Sequence, residues 1–183
     1  MYKLVISILL LFWASITPKY ATCQDIATVQ KIVDGDTLWV SLNSDKNNKA
    51  FRVRLIGVDT LEVDGGVKAQ KDSVRLNTSN SKMKSGGIEA KNFLINKIPK
   101  GSKVQIKYDR VKFDQYGRTL GYIYSQNGEF INKSLIKNGL AGLLIYSPND
   151  SKAQELQNAL EDAKKNKIGL WGKGLTLTES WKK

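Results

Sequence analysis

Hydrophobic and polar positions alternate along 36–42 (DTLWVSL) and again along 51–58 (FRVRLIGV), the two-residue period of half-buried strands. Residues 26–33 are apolar-rich and end at Asp34-Gly35, a hairpin-turn dipeptide, while 43–49 is polar and turn-like. Three strands joined by short turns form a meander, with Gly57 a candidate bulge in the third. From 62 to 87 the character changes: Asp, Lys, Ser, Asn and Gly dominate, and the segment reads as a loop or lid that carries Lys68 and Lys71. Ala90, Phe93, Leu94 and Ile98 then recur at helical spacing over 88–98, ended by Pro99 and Gly101. Two more strands follow at 103–108 (KVQIKY) and 120–124 (LGYIY). Gly128 turns the chain into a short helix over 131–138, closed by Gly139. A last helix begins near Ser151, which with Gln154 has the spacing of a capping box. Ala153, Leu156, Leu160 and Ala163 give that helix its apolar stripe, and Gly169 stops it. Leu170 and Trp171 pack back on the core, and 173–183 reads as a frayed tail.

The order is three strands, a loop, a helix, two strands and two helices, an α+β chain that is mainly β. Five short strands in 183 residues suit a small closed barrel better than a sandwich, and the five-stranded oligonucleotide-binding (OB) barrel with three covering helices is the natural candidate.

Composition narrows the chemistry. The chain has no His, which excludes Ser-His-Asp and Cys-His triads and His-ligated zinc. A single Cys excludes an intrachain disulfide and a Cys-rich metal site. Catalysis is left to carboxylates, Lys, Arg, Tyr, hydroxyls or a hard metal ion. With 29 Lys+Arg against 17 Asp+Glu the net charge is +12, which attracts polyanions: nucleic acid, acidic membrane surface or acidic polymers. Lys3 precedes the apolar run LVISILLLFWASI, too short for a membrane span that needs about 20 residues. A positive start, a short apolar core and the small residues Ala21 and Thr22 read as a secretory signal over 1–23. Cys23 sits where a lipid-modified cysteine would follow export, so free secretion and lipid anchoring are both open. No membrane-spanning helix is expected after the signal, and a monomer without a stable protein partner is expected.

Three stretches carry candidate chemistry. Strict alternation places Asp36 on the apolar strand face with Leu38 and Val40, where a carboxylate is costly unless paired or metal-bound. Its other reading is a turn cap at the barrel rim. In RLIGVDTLE, Asp59 ends a strand with Thr60 and Glu62 close behind. Asp36 and Asp59 with a backbone carbonyl would make a hard-oxygen site for Ca²⁺ or Mg²⁺. Arg54, in the same strand, has the opposite parity to Asp59, and a bulge near Gly57 would bring the two to one face. In FDQYGRTLGYIY, Arg118 opens a strand after a Gly turn and offers a bidentate phosphate donor, and Asp114 reads as a turn cap.

DGDT at 34–37, R-x4-DT-x-E from Arg54 to Glu62 and D-x-YGR at 114–118, in that order, resemble the staphylococcal-nuclease (thermonuclease) family. NKSLIKNGLA at 132–141 and AQELQNALEDAKKNKIGLW at 153–171 are similar to its closing helices, so the resemblance spans about 27–172. It implies an OB-fold domain over 24–174 with a tail at 175–183, and Ca²⁺-dependent cleavage of DNA and RNA that leaves 3′-phosphates. By the resemblance Asp36 and Asp59 are carboxylate metal ligands, Thr60 gives a backbone carbonyl, Arg54 and Arg118 bind phosphate, and Glu62 is the general base. Tyr116 and Tyr146 match tyrosines beside the bound nucleotide, with barrel-rim packing as the alternative. Leu61 stands where the family has Pro, a change that removes the stiffening of the turn before Glu62. The competing expectations are a barrel that binds nucleic acid without cutting it and a basic envelope protein that binds acidic polymers.

Overall fold

The computed structural model describes residues 24–63 and 79–182. The expected export signal with Cys23, and residues 64–78 of the expected loop with Lys68 and Lys71, lie outside the described residues. Five strands close into a barrel in the order β1-β2-β3-β6-β5: β1 (Gln24–Ile32), β2 (Thr37–Leu42), β3 (Ala50–Leu55), β5 (Lys103–Lys107) and β6 (Thr119–Ser125). A three-stranded sheet lies beside it, with β4 (Gly57–Asp59), β7 (Gly142–Tyr146) and β8 (Glu179–Lys182). The helices are α1 (Asn80–Lys97), α2 (Ile131–Lys137) and α3 (Ala153–Lys165). This is the five-stranded OB barrel that the alternation predicts, since each barrel strand sends every second side chain inward. Ala27, Val29, Leu38, Val40, Val53, Leu55, Val104, Ile106 and Ile123 are buried and form its core. Gly121 has no room for more: a Cβ there would lie 2.7 Å from Ile106 Cγ2.

The register sets one rim of the barrel. Thr37 pairs with Arg54 across the antiparallel β2–β3 ladder, so Asp36 comes to the end of β3. β3 closes the barrel against β6 in parallel, with Arg54 opposite Leu120, which brings Arg118 to the same rim. The chain does not run straight through 51–58. β3 ends at Leu55, and Gly57, with φ +77°, opens β4, which leaves the barrel to pair with β7, Asp59 opposite Gly142. Asn132, buried on α2, pins this break: its Nδ2 donates to Ile56 O at 2.9 Å and its Oδ1 accepts from Ile123 N at 2.9 Å.

Three local expectations are corrected. The polar 62–87 stretch is helical from Asn80, with Ser79 Oγ accepting from Lys82 N at 3.5 Å as its N-cap. Gly86 and Gly87, which read as breakers, lie inside α1 because Leu61 and the Glu62 backbone pack directly on them. Ser151 forms no capping box: α3 is preceded by Lys152 and has no side-chain cap bond, though Ala153, Leu156, Leu160 and Ala163 are buried as its stripe requires. The tail is not frayed over its described length. Leu175 and Leu177 are buried with Leu61, Met83 and Leu170 in a small second core, and β8 extends the sheet in parallel with β7.

Gly57→Ala should destabilise the fold by at least about 1–2 kcal/mol, the cost of left-handed backbone for an L-residue. A Cβ at this position would also lie 2.4 Å from Leu156 Cδ1. Urea unfolding of the two proteins measures the difference.

Candidate active site

A cleft of about 970 Å³ opens at this rim, lined by Asp36, Arg54, Asp59, Glu62, Arg118, Tyr116 and Tyr146 among others. Its floor is an ion cluster. Asp36 and Asp59 are 4% and 8% exposed, so both carboxylates have lost most of their water. Arg54 answers both: Nη1 contacts Asp36 Oδ2, and Nη2 donates to Asp59 Oδ1 at 3.2 Å. The break at Gly57 is what turns Asp59 onto the Arg54 side, which simple alternation would forbid. Thr60 N and Oγ1 each donate to Asp36 Oδ2 at 3.2 Å, and Thr37 Oγ1 donates to Asp36 Oδ1 at 3.0 Å. Gly35 lets Thr60 come this close, since a Cβ there would lie 2.7 Å from Thr60 Cγ2. Asp36 is therefore more than a turn cap. Burial lowers the pKa of the Arg54 guanidinium, the Asp59 carboxylate raises it, and Arg118 nearby lowers it again. All the donors here are oxygen, which fits a hard cation, although no group of three or more acidic, Cys or His side chains with metal-ligand spacing occurs among the described residues.

Arg118 lines the same cleft and is tethered. Asp114 Oδ2 accepts from Arg118 Nε at 2.7 Å, while Asp114 Oδ1 accepts from the Tyr116 and Arg118 backbone N–H groups, each at 2.9 Å. Burial raises the Asp114 pKa, but the hydrogen bonds from Arg118 and Tyr116 outweigh it and hold the carboxyl below its ordinary value. The tether is thus complete above the ordinary Asp range and is lost only as pH falls through that lowered value. The Nη groups of Arg118 take no part in this bond. Tyr116 and Tyr146 stand at the cleft mouth, 69% and 52% exposed, and the Arg118 guanidinium lies 5.5 Å from the Tyr116 ring centroid.

The staphylococcal nuclease homologue family model matches residues 52–173. The thermonuclease of Staphylococcus intermedius is 36% identical over 143 residues, covering 78% of this chain and 74% of that protein. The thermonuclease of Staphylococcus hyicus is 34% identical over 143 residues, covering 78% and 73%. Endonuclease YhcR of Bacillus subtilis is 29% identical over 153 residues, covering 82% of this chain and 12% of that larger protein. The chain belongs to the staphylococcal nuclease family. Its enzyme class follows: a nuclease, a hydrolase.

At Leu61 the resemblance leads to the expectation of a proline, and this chain has leucine. Leu61 is buried in the second core, so the turn before Glu62 is held by apolar packing instead of a fixed φ. Gly87 completes the seat, since a Cβ there would lie 2.6 Å from Leu61 O and 2.8 Å from Glu62 O. Glu62 is half-buried on the cleft wall. All eight residues singled out by sequence, Asp36, Arg54, Asp59, Thr60, Glu62, Tyr116, Arg118 and Tyr146, lie in or beside this cleft.

Other contributors were missed. Asp34 Oδ1 accepts from Asp36 N at 3.2 Å and its side chain also lines the cleft, a role hidden behind the turn dipeptide. Asn149 bonds both the N–H and the C=O of Val111 at 2.8 Å and so fixes the loop that carries Asp114 and Arg118. Thr178, from the supposed tail, donates to Asp59 Oδ2 at 2.7 Å. Only the 3D pairing of β7 with β8 brings it there, and no local signal marks it.

Leu61→Ala should cost about 2–5 kcal/mol of stability, the usual range for a buried leucine. It should also lower turnover more than substrate affinity, because the turn that loosens carries Glu62. Urea unfolding and a steady-state assay on single-stranded DNA check both effects.

Proposed function

We propose that this nuclease is an exported, Ca²⁺-dependent endonuclease that hydrolyses phosphodiester bonds of DNA and RNA without sequence choice and leaves 3′-phosphate ends. The carrying observation is the convergence of two buried carboxylates and Arg54 on the floor of an open cleft that Arg118 also lines.

A phosphodiester is an anion, and attack by water adds negative charge to its oxygens. Arg54 and Arg118 bind those oxygens and offset that charge, and one of them also offsets charge on the leaving 5′ oxygen. Both are placed before substrate arrives, Arg54 by Asp36 and Asp59 and Arg118 by Asp114, so little reorganisation is left to the reaction. Glu62 orients the attacking water and takes its proton. Asp36, Asp59 and the Thr60 carbonyl would hold Ca²⁺. Bound there, the ion supplies Lewis-acid neutralisation of the phosphoryl charge. No step calls on histidine, which the chain lacks. Tyr116 and Tyr146 offer aromatic faces to the neighbouring base, a contact that every base can make. The net charge of +12 draws in the polyanion, with affinity that falls as salt rises. The apolar run after Lys3 supports export, by free secretion or with a lipid on Cys23. Among the described residues no helix is long and apolar enough to cross a membrane.

Digestion of single-stranded DNA with Ca²⁺ or with EGTA tests the reading, with end analysis of the products. Cutting should require Ca²⁺ and leave 3′-phosphates. Arg118→Ala should slow it by about 10²–10³-fold, the loss typical of one charge-stabilising donor. Asp36→Ala should abolish the Ca²⁺ response while the fold survives. A folded protein that binds the DNA and does not cut it would be a non-catalytic binding barrel instead.

A further inference from the structure

The C-terminal strap reaches the active site, although the family match ends at residue 173. Three kinds of contact hold it. Leu175 and Leu177 are buried in the second core with Leu61, Met83 and Leu170. Leu143 N donates to Thr178 O at 2.7 Å, and β8 continues from there in parallel register with β7. Lys164 Nζ bridges to Glu179 Oε1 at 2.7 Å. Gly142, the β7 residue opposite Asp59, shows how close the strap lies, since a Cβ there would fall 2.2 Å from Thr178 O.

The strap sets down one polar side chain on a residue of the cleft floor. Thr178 Oγ1 donates to Asp59 Oδ2 at 2.7 Å, while Asp59 Oδ1 takes Arg54 Nη2 at 3.2 Å. Asp36 obtains the same two-sided support from Thr37 and Thr60, its neighbours in the rim. The terminal torsion of an Asp side chain is broad, and a hydrogen bond to each carboxylate oxygen restricts rotation about its Cβ–Cγ bond.

We propose that Thr178 is a positioning residue of the active site: its hydroxyl fixes the rotation of the Asp59 carboxylate and so presets that group for a divalent cation. Outer-shell donors of this kind orient metal ligands, and their loss typically costs about 10–100-fold in metal affinity or activity. The inference rests on the reading of Asp59 as a cation ligand.

The test uses the full chain with Thr178→Val, Thr178→Ser and Thr178→Ala. Ca²⁺ affinity is measured by titration calorimetry and stability by urea unfolding in EGTA. Val and Ala, which lack the hydroxyl, should each weaken Ca²⁺ binding by about 10-fold or more. Ser, which keeps the donor, should restore most of it, whatever small stability changes accompany the three substitutions. Wild-type affinity in the Val or Ala protein, or a Ser protein no better than Ala, would overturn the positioning role while leaving Asp59 as a ligand. A wild-type chain that binds no Ca²⁺ would overturn both. The alanine variant keeps the comparison available should the valine protein fail to fold.

Discussion

Two buried carboxylates share one guanidinium, and the rim of this barrel is organised around that arrangement. Asp36 immediately precedes β2 and Asp59 ends β4, and like charges that meet at one guanidinium raise each other's energy in a medium that screens poorly. Arg54 between them removes most of that cost, and the Thr37, Thr60 and Thr178 donors meet further lone pairs. Such a cluster is weak evidence of stability, since a buried ion pair often contributes no more than an apolar pair of the same volume. It is a means of keeping anionic oxygens together in a cleft, and that is a property a cation can use. Stability is supplied elsewhere, by the barrel interior and by the apolar faces of α1, α2 and α3.

The cluster constrains the backbone in return. Asp36 must lie just before β2 to meet Arg54 in the β2–β3 ladder, and the chain must break at Gly57 to turn Asp59 the same way. A tight turn at Gly35 and the buried Asn132 amide keep those two places fixed. The Arg118 side is simpler. One carboxylate, Asp114, caps the turn and orients Arg118, and Asn149 fastens the whole loop to the end of β7. Burial of Leu61 in the second core holds the turn before Glu62 by apolar packing.

Strands with a regular period were legible because the barrel interior imposes strict alternation on residues such as Leu38 and Val40, and Val53 and Leu55. The inward placement of Asp36 followed from the same period. The Arg54–Asp59 conflict in parity pointed to a bulge near Gly57, and the structure resolves it there by a full strand break that sends β4 to pair with β7. The first half of α1 was illegible because Gly86 and Gly87 mimic a loop. Their lack of side chains serves close packing, which depends on a partner distant in sequence. β7, β8 and Thr178 were hidden for a related reason: their pairing is non-local, and a short strand such as GLLIY carries no period of its own. Asp34 was masked by turn chemistry that explained it adequately without any site, and Asn149 acts on Val111, 38 residues away, a pairing that no local signal marks.

The central claim is that Asp36 and Asp59 together form one cation site. Linkage measures it directly: a ligand that binds only the folded state stabilises it by RT ln(1 + [L]/Kd), about 2.7 kcal/mol at 100 times Kd. The measurement is urea unfolding of the wild-type protein, Asp36→Asn and Asp59→Asn across a CaCl₂ series at fixed ionic strength. The account predicts that wild-type stability climbs with the logarithm of Ca²⁺ concentration and that either substitution flattens the slope. A wild-type protein indifferent to Ca²⁺, or a gain that survives in both variants, would contradict it.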